Sequence, residues 1–288
     1  MLKKIVAAAW IFLLLSPGAF AAIPGFISSN TDDSTGKSHF KLMPASHLVP
    51  LFTADSRAHR LSITNVIGTG EFIGSMGGIF PVARFNKFNK TFQLSAASTL
   101  YTTLVRKFIG GALINTDFFV DIFLDMKVND RLYLRSSTGH TSQHLSDDAA
   151  HKYSDINYVR DYIQLFGIYH FPKQKAFVYG GIIFNHNLKT TNDTQAFDLS
   201  GRPSFQLGLE HTPFHISRTG YAYWAADIKF KGEVDFGTTE NIQLGVKWIS
   251  EDKRAIRIAL NYGFGYDERG QFYTQKREYV YCGVYLDF

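Results

Sequence analysis

The sequence predicts an all-β protein, an antiparallel transmembrane β-barrel of about 12 strands, and three observations lead there. From His59 onward, turn clusters divide the chain into segments of roughly ten residues, many of which alternate apolar with polar or small side chains. Beyond residue 22 no apolar run approaches the ~20 residues a spanning helix needs, so any membrane passage falls to strands. The last segment alternates Val280, Cys282, Val284, Leu286 and Phe288 with Tyr281, Gly283, Tyr285 and Asp287, and it ends on the aromatic residue.

In chain order, residues 1–21 read as a secretory signal peptide: Lys3 and Lys4, an apolar run from Ile5 to Leu15, then the small-residue pattern Ala19-Phe20-Ala21. Residues 22–58, with Asn30 to Lys37 rich in turn formers, read as an irregular arm on the periplasmic side. Its apolar start at Pro50 to Arg57 suits packing on the barrel end or entry into the lumen. The barrel occupies 59–288, with strands expected at 59–67, 70–82, 91–104, 114–127, 131–142, 156–169, 176–186, 203–211, 221–231, 240–250, 254–266 and 276–288. In the fourth, Phe118, Val120, Ile122 and Leu124 oppose Asp117, Asp121 and Asp125, a lipid face against a carboxylate face. Asp121, Asp125, Arg131, Arg135, Asp227, Lys229, Lys247 and Arg257 all fall on the polar side, where they are expected to form a lumenal ion-pair network. Trp224, Phe230, Trp248, Tyr262 and Phe264 suit interfacial girdles.

Composition narrows the function. The formal charge is +5, with Lys and Arg dispersed, so no nucleic-acid footprint is present. A single cysteine, Cys282, excludes an internal disulfide. There is no P-loop, dinucleotide fingerprint, H-E-x-x-H or paired-Cys metal spacing. A barrel of structural, binding or transport character, embedded in outer-membrane lipids, is the first expectation.

The stretch Arg131 to Asp148 supports a second one, a lipid esterase. Residues two apart on a strand share a face, so Leu132, Leu134, Ser136, Thr138, His140 and Ser142 point the same way. If the leucines meet lipid, so do His140 and Ser142. A serine nucleophile needs a base within reach and a third group to orient that base. Ser142, His140 and, at the start of the next strand, Asn157 are the candidates, with backbone N–H groups near Gln143 to hold an oxyanion. Asp161 is the awkward residue, because strand parity turns its carboxylate toward lipid. Either a bulge shifts the register, or Asp161 belongs to the site, or the opposite face is external. At the strand end and in the following loop, His144, Asp147 and Asp148 are candidates for a divalent cation, since carboxylates with loop carbonyls suit Ca²⁺, or else they line a solvated loop. A second His-x-Ser, His215 and Ser217, falls in an expected turn.

These residues carry resemblances. His140, Ser142 and Asn157 resemble the site of outer-membrane phospholipase A, a twelve-stranded barrel with a His-x-Ser pair on its outer surface, and are similar to the pair in barrel lipid A deacylases. Those families place Asn after the serine, where this chain has Gln143. The run from His140 to Asp148, together with Arg131-Leu132-Tyr133, Asn157-Tyr158, Tyr179-Gly180-Gly181 and Pro50-Leu51, resembles a bacterial family of unassigned function. Its members carry H-x-S-S-H-L-G-D-E and are expected to be outer-membrane barrels. The terminal strand ending in Phe288 resembles the signal by which outer-membrane barrels engage their assembly machinery.

Overall fold

The structure is a computed structural model describing residues 40–106, 111–150, 153, 156–191, 196–250 and 254–287. The expected signal peptide, the arm up to residue 39, and Phe288 lie outside the described residues. Fourteen strands are present among them: β1 (Phe40–Leu42), β2 (Leu61–Val66), β3 (Glu71–Lys87), β4 (Lys90–Arg106), β5 (Gly111–Lys127), β6 (Leu132–Leu145), β7 (Asn157–Phe171), β8 (Ala176–Thr191), β9 (Ala196–Asp198), β10 (Pro203–His215), β11 (Gly220–Lys231), β12 (Gly237–Ile249), β13 (Ala255–Tyr266) and β14 (Lys276–Asp287). A four-residue helical turn, α1 (Asp147–Ala150), follows β6.

Setting aside β1, which pairs on the end of β3, and β9, which pairs on β8, twelve strands form one closed antiparallel ring. Closure runs from Leu61 opposite Leu286 to Val66 opposite Tyr281, joining β2 to β14, while β3 pairs β4 on the far side. Each of the twelve expected segments corresponds to one ring strand. A closed ring leaves no sheet edge, which is the condition for strands to stand in lipid.

Side chains sort by period two. Along β5, Asp117, Asp121 and Asp125 are buried inside while Phe118, Val120, Ile122 and Leu124 are exposed outside. Arg135 grips Asp125 through two nitrogens at 2.7 and 2.9 Å, and Arg257 grips Asp287 likewise at 2.6 and 2.8 Å. Lys247 pairs Glu210. Arg131 departs from its expected place: it is exposed in the turn before β6, where its backbone N–H donates to Asn129, and it contributes nothing to the lumen.

The stretch before β2 lies within the ring. The Phe52 ring stacks on Tyr179, centroids 3.7 Å apart and nearly parallel. Thr53 donates to Glu210 at 2.8 Å, Asp55 receives Lys229 at 2.6 Å, and Arg57 faces Asp117 at 3.1 Å. His59 lies between Thr99 (2.9 Å) and Asp121 (2.8 Å). His59 and Arg60 therefore leave the ladder that sequence periodicity assigned them to, because both find charged or aromatic partners inside. At one end of the lumen the 3₁₀ turn Gly270–Phe272 folds over β6 and β7, and Gln271 Nε2 donates to the carbonyl of Gln143 at 2.9 Å. Among the described residues these contacts occupy much of the interior, leaving a cavity of about 120 Å³ lined by Asp55, Arg57, His59, Arg135 and Lys229.

Candidate active site on the outer face

Strand β6 builds the site. Its inward set, Tyr133, Arg135, Ser137, Thr141 and Gln143, is buried, so the alternate residues His140, Ser142 and His144 point outward in line with Leu132 and Leu134. Gly139 belongs to the inward set, between Ser137 and Thr141. A side chain there would meet Asp121 and the ring of Tyr162, whose hydroxyl donates to Asp121 at 2.9 Å.

Neighbouring strands complete the constellation. The register sets His140 opposite Val120 on β5 and Asp161 on β7, and Ser142 opposite Phe118 and Val159. Asp161 faces outward as its parity implied, and it is not unpaired: its Oδ1 lies 2.5 Å from His140 Nδ1, and its Oδ2 accepts from Asn187 Nδ2 at 2.6 Å. Ser142 Oγ lies 2.6 Å from His144 Nε2, and the edge of the His144 ring meets Phe118, centroids 6.2 Å apart. The His140 side chain is half exposed (50%) and Asp161 about one-third (32%), so the pair is open to whatever surrounds the barrel.

Of the residues expected from sequence, His140 and Ser142 share the outer face. Asn157 is not brought to His140. It opens β7 opposite Thr191, four residues from Asp161 and therefore ~13 Å along the strand. Gln143, near which oxyanion donors were expected, sits in the ladder between Asp117 and Tyr158 with its side chain buried. Asp147 and Asp148 head α1, and Asp148 Oδ2 accepts weakly from the Leu113 backbone at 3.4 Å. Among the described residues no cluster of three His, Cys, Asp or Glu is placed to hold a metal. The second His-x-Ser makes no such site: His215 packs on the ring of Tyr221, centroids 4.4 Å apart.

Asn187 was missed by sequence reasoning, and His144 is read there as a candidate cation ligand rather than as a partner of Ser142. His144 had the signal available, at even spacing from His140. Asn187 did not, because a bulge reverses the parity of β8 just before it: Tyr162 pairs Asn185, but Asp161 pairs Asn187.

The geometry has a definite chemical content. A neutral imidazole whose Nδ1–H faces a carboxylate presents a basic Nε2. His140 so held has Ser142 two residues away on the same face, while the hydrogen bond of the Ser142 hydroxyl is to His144.

Residues 33–288 match the family described as a protein of unknown function, DUF1207. The chain belongs to that family. No curated protein matches this DUF1207 member by sequence. Among solved structures it is similar to the calcium-bound dimer of the outer membrane phospholipase of Salmonella typhi, at 13% identity over 80% of this chain and 90% of that one, with a TM-score of 0.50. The outer membrane phospholipase A of Escherichia coli matches at 14% identity over 80% and 89%, TM-score 0.49. The outer membrane protein OmpT of Vibrio cholerae matches at 9% identity over 79% and 96%, TM-score 0.36. Likeness at 13% identity fixes the fold, a closed barrel of the outer-membrane type, and leaves the activity to the residues.

Proposed function

We propose that this DUF1207 protein is an outer-membrane lipid acyl hydrolase, with Ser142 as nucleophile, His140 as general base and Asp161 in the orienting role expected of Asn157. The observation that carries the reading is the Asp161–His140 pair on the outer face, one residue pair away from Ser142 along β6. A carboxylate and imidazoles among exposed Val120, Ile122 and Ile163 are costly in lipid unless they serve a purpose. In this reading the lipid reaches the site laterally. His140 Nε2 takes the Ser142 proton as Oγ attacks the ester carbonyl, and then returns it to the leaving alkoxide. Water repeats the sequence on the acyl-enzyme. His144 Nε2, beside Ser142 Oγ, is placed to donate to the developing oxyanion, the role expected near Gln143. The rim where β14 ends faces the periplasm, and the terminal strand engages the assembly machinery.

A binding or structural role without turnover is the second reading. It is favoured by one observation: the Ser142 hydroxyl is held by His144, so a χ1 rotation must precede transfer to His140. Conduction is disfavoured by the filled lumen. The discriminating experiment treats the refolded protein with a long-chain alkylsulfonyl fluoride and maps the adduct by mass spectrometry. The hydrolase reading expects one adduct, on Ser142, lost in His140→Ala. No adduct, or an adduct indifferent to His140, refutes it.

A further inference from the structure

We infer that Asn187 is a positioning residue for His140, delivered to the outer face by the bulge in β8 and acting through Asp161. This rests on the reading of His140 as the base.

The register provides the argument. From Ala176 to Asn185, β8 pairs β7 without interruption, with Ile182 and Phe184 exposed outside and Ile183 and Asn185 buried inside. Continued regularly, that ladder would set His186 opposite Asp161. Instead His186 is the extra residue of the bulge and Asn187 takes the place facing Asp161. Beyond it Leu188 returns to the interior, fully buried.

The exchange matters because the two candidate partners differ in chemistry. A second imidazole opposite Asp161 would compete with His140 for the same carboxylate. An amide donates without ever carrying charge. With Asn187 Nδ2 on Oδ2, Asp161 has Oδ1 alone for His140 Nδ1, so the carboxylate plane, and through it the imidazole tautomer and ring direction, is set from the third strand. A carboxylate tethered at one oxygen only could swing about χ2 on this open surface, since it is about one-third exposed. The remaining titratable or charged outward groups around His140 are His144 on β6 and His186 and Lys189 on β8. Facing it from β5 is Val120.

The test reads the His140 tautomer by NMR on the refolded protein in detergent at a fixed pH, with ¹⁵N-labelled imidazoles, His140 being assigned by His140→Gln. Asn187→Ala is expected to populate both neutral tautomers where wild type holds Nδ1–H toward Asp161. Asn187→Gln, a longer amide donor, restores part of the wild-type spectrum. In acyl release, Asn187→Ala lowers kcat on the order of tenfold, the scale for groups that orient a working imidazole, and leaves KM in place. A His140 tautomer signature unchanged in Asn187→Ala overturns the inference. If wild type releases no acyl chain, the hydrolase reading fails separately, since the tautomer measurement needs no turnover. Should Asn187→Ala fail to fold, Asn187→Gln and Asn187→Ser in the same spectra decide the matter.

Discussion

Asp55 offers the sharpest test of how the barrel is filled. Inside the ring its carboxylate takes Lys229 Nζ at 2.6 Å, Gln206 Nε2 at 3.1 Å and the Arg57 backbone N–H at 2.9 Å. Removing one partner of a buried ion pair costs roughly 3–5 kcal/mol, because the survivor is left uncompensated. After Asp55→Ala, Lys229 keeps Glu268 at 2.5 Å, which puts the expected loss at the lower end. That is about 3 kcal/mol, on the order of a hundredfold in the folded-to-unfolded ratio. Urea unfolding in detergent micelles, followed by tryptophan fluorescence, should show a lower midpoint at unchanged slope. Because the two residues touch, Lys229→Met in the Asp55→Ala background should cost less than the sum of the single changes, by at least about 1 kcal/mol. A midpoint within error of wild type for Asp55→Ala, or strict additivity, would refute the claim that the stretch before β2 is keyed into the lumen.

Three further outcomes follow from the same geometry. In planar bilayers the wild type should pass no steady ion current, whereas Phe52→Ala with Arg57→Ala, which removes the ring stacked on Tyr179 and the guanidinium facing Asp117, should pass one; equal currents would contradict a filled lumen. Gly139→Ala pushes a methyl against the Tyr162 ring and Asp121, and it should cost about 1–3 kcal/mol in the urea assay, whereas the same change at the open, exposed Thr138 should cost little. In the loop after β13, burial pushes the Asp267 carboxyl up, but the charge and hydrogen bonds of Arg269 outweigh it and hold the group below its usual 3.8. A depressed carboxyl contributes stability that is complete above the unfolded pKa and is lost as pH falls through the folded one. Protection factors of the amides in 267–275, with the intrinsic pH dependence of exchange divided out, should therefore stay high at neutral pH and fall below about pH 4, while Asp267→Asn should lower them already at neutral pH.

The period-two alternation made the ring legible, because a strand with lipid on one side and packed polar groups on the other has to write both environments into its sequence. Asp117, Asp121 and Asp125 against Phe118, Val120 and Ile122 are the plainest case. What alternation cannot carry is pairing between strands. It turns Asp161 toward lipid but leaves a bulge or an inverted face open, and it cannot show that His140 stands opposite; sequence reading makes Asn157 the orienter, whereas the ladder sets Asp161 across from His140. The bulge at His186 is invisible for the same reason. One extra residue changes parity without changing composition, and only the register reveals that Asn187 faces Asp161. The filling of the lumen was half legible: the polar inner faces were evident, whereas the partners from Phe52 to His59 lie far away in sequence and join only through the closed ring.

The account stands most directly on acyl release from phospholipid vesicles by the refolded protein. It predicts that wild type liberates fatty acid, that Ser142→Ala and His140→Ala abolish release, and that Asp161→Ala lowers it by orders of magnitude while each variant keeps the heat-dependent gel shift of a folded barrel. Release by Ser142→Ala at the wild-type rate, or none from wild type itself, would contradict it.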